Sequence, residues 1–192
     1  MFEEFLRSFI TLFIIMDPFM SVAFFLGYSK NLDSKQKDRS ILIAIGVAAV
    51  LLLLFLISGL YLLNVLSISF NGFKIAGGII LLIMGVTTVL AIDISSKTEN
   101  VSSGAILIGT PLLSGPGALT TIIILSKDYG LIIPALAAIA VLVVSYLMLK
   151  FAKNLQAFIG TEIIEIMSKV LGLLLAALAV DFIHAGIVGF IG

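Results

Sequence analysis

Long apolar runs broken by short polar stretches dominate the chain. Six of them approach or exceed the roughly 20 residues needed to cross about 30 Å of hydrocarbon. They are Leu6–Leu26, Ile41–Leu63, Lys74–Ile92, Gly104–Leu125, Leu131–Phe151 and Lys169–Gly189. The runs are too long, and alternate too little, for transmembrane β-strands. The pattern predicts an all-α polytopic membrane protein with six transmembrane helices. Between the fifth and sixth runs, AKNLQAFIGTEIIEIMSK (Ala152–Lys169) mixes apolar and charged residues and reads as a short interfacial helix plus a turn. Glu162, Glu165 and Lys169 are spaced there for ion pairing along one helix face. The first run lacks a basic leader and a small-x-small cleavage site, so it reads as a retained helix.

Composition sharpens this. With 61% of its 192 residues hydrophobic and 11% charged, the chain carries more apolar surface than a soluble domain of this length can hide. It has no cysteine and a single histidine, which argues against disulfides, metal sites and metal cofactors. No nucleotide-binding loop and no basic cluster of the kind that grips nucleic acid are present. Lys30, Lys35, Lys37, Arg39, Lys97, Lys150, Lys153 and Lys169 fall after runs one, three and five, against Arg7, Lys74 and Lys127 on the other side. That excess puts the first group in the cytoplasm and both termini outside a cell membrane. Tyr28, Tyr61, Tyr129 and Tyr146 lie mostly near run ends, as interfacial anchors do, and Asn64 and Asn71 read as turn residues.

The order of features repeats. FKIAGGIILLIMG (Phe73–Gly85) opens run three and SKVLGLLLAALA (Ser168–Ala179) opens run six. Each has a lysine at the membrane edge and a glycine three residues on, Lys74 with Gly77 and Lys169 with Gly172. IIMDPFMSVAFF (Ile14–Phe25) aligns with LLSGPGALTTII (Leu112–Ile123), proline on proline. Residues 1–97 and 98–192 therefore read as two three-helix repeats. An odd number of spans per repeat makes the second enter the membrane from the opposite side, as in many secondary transporters. A six-helix scaffold born of duplication is the bland alternative.

Asp17 and Pro18 stand about eleven residues, roughly 16 Å, into the first run, near the midplane. Proline within a helix costs about 3 kcal/mol and an acid at a span centre about 2.5–3.5 kcal/mol. The two costs offset each other if the helix breaks there, because Asp is a strong N-cap and Pro suits the first helical position. The carboxylate is then expected to accept from the amides near Phe19 and Met20. In the fourth run Ser114 or Gly115 is the expected cap, Pro116 the first helical residue, and Gly117 allows close approach. In inverted repeats the two half-helices start near a shared centre and run to opposite faces. Such N-termini favour anions, and the half-helices ending there offer carbonyls to a cation, so a zwitterion suits the pair. Taken singly, each break could equally be a packed kink.

Ser21, Thr110, Ser114, Thr120 and Thr121 could donate to a ligand or bond back to their own helices; Thr110 and Ser114 are favoured because they adjoin the break. Gly77 and Gly78 give run three a bare face that suits close helix packing or, less favoured, a small substrate. Asp181 falls past the midplane, with His184 one turn further on. Either could carry a proton, or both could sit in outer interfacial water.

DPF in run one, FKIAGGIILL in run three, PLLSGPGALTT in run four and GLLLAALAVDFIHAGI in run six together resemble the MarC family of inner-membrane proteins, over essentially the whole chain. Two departures are visible. Phe19-Met20 stands where the family often has a small, glycine-containing turn, and Asp181 where an amide is more usual. The resemblance implies proton-linked transport of small neutral amino acids such as glycine and alanine. The combined expectation is a secondary transporter, not an enzyme, coupled to protons or sodium. Asp17, Pro18, Phe19, Met20, Ser21, Gly77, Gly78, Thr110, Ser114, Gly115, Pro116 and Gly117 line its substrate site. Asp17, Asp181 and His184 are the coupling candidates. An exporter or channel for another solute and a non-transporting scaffold are the alternatives. An intramembrane hydrolase is disfavoured, since Asp17 has no clear second carboxylate and Ser114 no evident base. Glycine faces allow a homo-oligomer.

Overall fold

The computed structural model describes residues 1–91 and 113–191. Helix α1 (Phe2–Met16) breaks at Asp17 and continues as α2 (Pro18–Tyr28). After a 3-10 turn at Ser29–Asn31 come α3 (Ser34–Val65) and α4 (Phe70–Val89), then α5 (Pro116–Tyr129), α6 (Ile132–Lys150), α7 (Ala152–Ile159) and α8 (Thr161–Ile191). Every regular element among the described residues is helical. Five stretches are long and apolar enough to span a membrane: Phe2–Tyr28, Ser34–Val65, Phe70–Val89, Ile132–Lys150 and Thr161–Ile191. Their outer faces carry large apolar residues such as Ile57 and Leu173, 70% and 64% exposed, as a surface solvated by hydrocarbon requires.

Two helices exceed the apolar runs that announced them. Helix α3 starts at Ser34, seven residues before Ile41, because Asp33 and Gln36 form a reciprocal capping box that carries Lys35, Lys37 and Arg39 into its first turns. The Asp33 carboxylate accepts the Gln36 amide at 2.7 Å and the Gln36 side chain accepts the Asp33 amide at 3.0 Å. Helix α8 starts at Thr161 and not at Lys169. The break falls at Gly160, in the left-handed half of backbone space at φ 83°, and nothing after it interrupts the helix. Glu162, Glu165 and Lys169 make no salt bridge with one another among the described residues, where the ion pair present joins the Met1 ammonium to Glu4. Of the fourth run, 104–112 lies outside the described residues, and the helix that follows runs to Tyr129, past the expected Leu125.

Among the described residues helices α4 and α8 form the tightest pair, and they are antiparallel. A methyl group on Gly85 would sit 2.7 Å from the Gly172 carbonyl oxygen, one on Gly78 2.7 Å from the Ala179 carbonyl, and one on Gly186 2.8 Å from the Asn71 carbonyl. Small residues thus let two backbones touch, which is how helices gain dispersion energy where lipid supplies no hydrophobic drive. Asn71 is more than a turn residue, since its side-chain amide donates to the Gly189 carbonyl near the end of α8.

The short helix α5 lies at the centre, with residues 117, 118 and 120–126 all buried. Gly59 of α3 faces Ile123, Gly77 of α4 faces Thr120, and Gly117 meets Leu81 of α4 and Ile15 of α1.

Candidate functional site

Asp17 ends one helix and starts the next. Its backbone is left-handed, φ 36° and ψ 75°, a region that Asp enters more readily than most residues. Its own N–H still closes α1 on the Phe13 carbonyl at 3.2 Å. Pro18 then occupies the first position of α2, where its missing N–H is not needed. Oδ1 of Asp17 accepts the Met20 N–H at 3.1 Å, so the acid caps α2 as its sequence context predicts. The phenyl rings of Phe13 and Phe19 meet edge-on across the break, centroids 6.4 Å apart.

The second carboxylate oxygen reaches out of its own span. Oδ2 accepts the hydroxyl of Ser168 on α8. Asp17 is 9% exposed and Ser168 7%, so the bond is made in a nearly dry place, where losing one partner is costly. Ser168 was not among the expected site residues, because the contact joins residues 151 apart. A signal was present nevertheless. In the repeat alignment Ser168 stands opposite Phe73, a hydroxyl where the first half keeps a phenyl ring. Ser168→Ala is expected to lower stability by about 1.5–3 kcal/mol, the usual worth of a hydrogen bond to a charged group. Equilibrium unfolding in mixed micelles checks this; an unchanged midpoint would remove Ser168 from the account.

The second break is built differently. Gly115 is the N-cap of α5, extended at φ −64° and ψ 173°, with Pro116 next and no side-chain cap. Leu113, Ser114, Gly115 and Gly117 are buried and Pro116 is exposed. A methyl group on Gly117 would lie 3.4 Å from Cγ2 of Ile15, so the first turn of α5 packs against the end of α1, two residues before Asp17 in the chain. The two short helices then part. The C-terminal end of α2 reaches a cavity shared with Lys153 and Glu165, whereas Asp128 and Tyr129 at the far end of α5 share one with Arg7, at the opposite end of the first span.

The hydroxyls mostly look inward to their own helices. Ser21 donates to the Asp17 carbonyl at 3.3 Å and Thr120 to the Pro116 carbonyl at 2.8 Å. Thr121 is fully buried with no partner for its hydroxyl among the described residues. Thr110 lies outside the described residues. Gly77 is filled by Thr120, and Gly78 by Ala179 and Ile183, so neighbouring helices occupy both glycine faces. Asp181 and His184 are exposed on the outer face of α8. They lie thirteen or more residues, about 20 Å of helix, beyond Ser168 and are not gathered with Asp17. Among the described residues no group of acids and histidine could hold a metal ion.

A helical bundle with apolar outer faces, interrupted in its first span by a capped and buried acid, defines a polytopic integral membrane protein of the broken-span kind. The chain belongs to the MarC family of integral membrane proteins, whose pattern matches residues 2–191. It is 31% identical to a UPF0056 membrane protein of Methanocaldococcus jannaschii, over 97% of both chains. A UPF0056 membrane protein of Archaeoglobus fulgidus is 29% identical over 95% of this chain and 92% of its own. One of Aquifex aeolicus is 28% identical over the same shares. No solved structure matches the chain.

Proposed function

We propose that this protein is a secondary transporter of small neutral amino acids, glycine- or alanine-like, working by alternating access around the two helix starts at Pro18 and Pro116. The observation that supports the reading is the approach of the second start to the first span, where Gly117 lies against Ile15, two residues before Asp17 in the chain. One is capped by Asp17, and the other is uncapped by any side chain, with its Gly117 buried beside Ile15. First-turn amides and the helix dipole at such ends suit a carboxylate. The carboxylate of Asp17 suits the ammonium of the same zwitterion, or a coupling proton. In this reading Phe19, Met20, Ser114, Gly115 and Gly117 shape a small chamber, and sodium takes the place of the proton if uptake follows a sodium gradient instead. Residues 1–97 and 98–192 act as inverted three-helix repeats, an arrangement supported by the antiparallel α4–α8 pair and by the divergence of α2 and α5. The basic ends of α3 and α7 face the cytoplasm of a cell membrane, with both termini outside.

One observation favours a second reading, in which the break is structural. Both carboxylate oxygens of Asp17 already have donors within the protein. A scaffold needs that and nothing more. Uptake of labelled glycine and alanine into proteoliposomes, with and without an inward proton gradient, separates the two. Saturable uptake raised by the gradient is the expected result. Folded, inserted protein that moves neither amino acid would favour another solute or the scaffold.

A further inference from the structure

A sizeable cavity lies away from the helix break. It opens at the end of α2, encloses about 550 Å³, and lies between α2, α7 and α8. Lys30, Lys153, Gln156 and Thr161 form its polar side, and Ala23, Leu26 and Ile164 its apolar side. A third cation stands close by, because Lys37 at the start of α3 lies near enough to Lys153 for the two ammonium groups to repel each other. Lys30 and Lys153, from two separate elements, thus line one pocket, Lys37 of a third element stands beside Lys153, and none of the three has a salt-bridge partner among the described residues. Among the described residues Glu165 is the one acid in the lining, and Asp33 stands one turn before Lys37.

Unpaired like charges held together by a fold are a standing cost that an anion would remove. The shape of the pocket says which anion. Its polar side is basic, and Ala23, Leu26 and Ile164 give it an aliphatic side. A phosphate at the lysines with an acyl chain along Ala23, Leu26 and Ile164 satisfies both walls, and basic pockets between spans recognise lipid headgroups in this way. We propose that the cavity between α2, α7 and α8 is a binding site for an anionic phospholipid, its phosphate held by Lys30, Lys37 and Lys153. Glu165 opposes the bound charge and limits the affinity. The site is independent of the transport reading.

The test uses the full chain in a neutral maltoside detergent, with binding followed by native mass spectrometry. The probes are short-chain phosphatidylglycerol, the matching phosphatidylcholine, and inorganic phosphate. Phosphatidylglycerol is expected to bind at least tenfold more tightly than phosphatidylcholine. Lys37→Gln with Lys153→Gln should erase that preference, the same pair changed to Arg should keep it, and Glu165→Gln should strengthen binding severalfold. The last variant guards against misfolding as an explanation, since it predicts a gain. Equal binding of the two lipids, or no response to the lysine and glutamate changes, would overturn the proposal. Inorganic phosphate binding as tightly as phosphatidylglycerol would overturn the lipid assignment and make this a site for a soluble anion.

Discussion

Valine in place of Gly85 is expected to cost the protein about 3 kcal/mol or more and to part α4 from α8. The added Cβ would meet the Gly172 carbonyl oxygen at 2.7 Å and the Ala176 amide nitrogen at 2.8 Å. Both are backbone atoms of a continuous helix, so no side-chain rotation can make room. Overpacking a well-filled site costs about 1–3 kcal/mol when side chains can yield, and here the helices themselves must move. Gly46→Val is the control. A methyl group at Gly46 meets nothing within 4 Å, and valine is a modestly better helix former than glycine. Unfolding of the two variants in mixed micelles should therefore differ widely. A Gly85→Val protein as stable as the parent would mean that α4 and α8 do not meet as described. Gly77→Ala should fall between them, because its clash is with the Thr120 side chain, which can turn aside by giving up a local bond to Pro116.

Asp17→Ala is the second large effect, a loss of about 2–4 kcal/mol. Removing an N-cap costs about 1 kcal/mol. The buried Ser168 hydroxyl loses its acceptor, for about 1–3 kcal/mol more, and alanine fits the left-handed backbone at φ 36° less well than aspartate does. Asn is expected to behave differently. It caps helices about as well as Asp, tolerates the same backbone region, and keeps an oxygen for Met20 or Ser168. Asp17→Asn should therefore stay within about 1 kcal/mol of the parent while losing the charge. If Asp17→Ala proves as stable as the parent in the same unfolding experiment, the cap and the Ser168 contact carry no weight.

The local features of the fold are legible in the sequence. Asp17-Pro18 announced a helix break because a cap and a first-turn proline are adjacent in sequence, and Gly115-Pro116 did the same for α5. The all-helical membrane class followed from run length alone. Contacts between distant segments were not readable in the same way. The place of Ser168 opposite Phe73 marks the position as different but does not name Asp17 as its partner, since the pairing depends on how α8 lies against α2. Hydropathy starts α8 eight residues late, at Lys169, because the first two turns of the helix carry Glu162 and Glu165. Hydropathy reads charge as the end of a span, whereas a helix continues through charged residues until a backbone break such as Gly160 stops it. The glycines of α4 and α8 showed in sequence that something packs closely. They did not show that the partner of each helix is the other.

The central claim is that the break at Asp17 is a transport site and not a packed kink. Asp17→Asn tests it most directly, because it separates charge from capping. Uptake of labelled glycine and alanine would be measured in proteoliposomes carrying equal amounts of folded, inserted parent and variant. The account predicts saturable uptake by the parent and a loss of at least tenfold in the variant, with stability nearly unchanged. Parent uptake that survives Asp17→Asn at full rate and with its gradient dependence intact would contradict it, and would leave Asp17 as a structural cap alone.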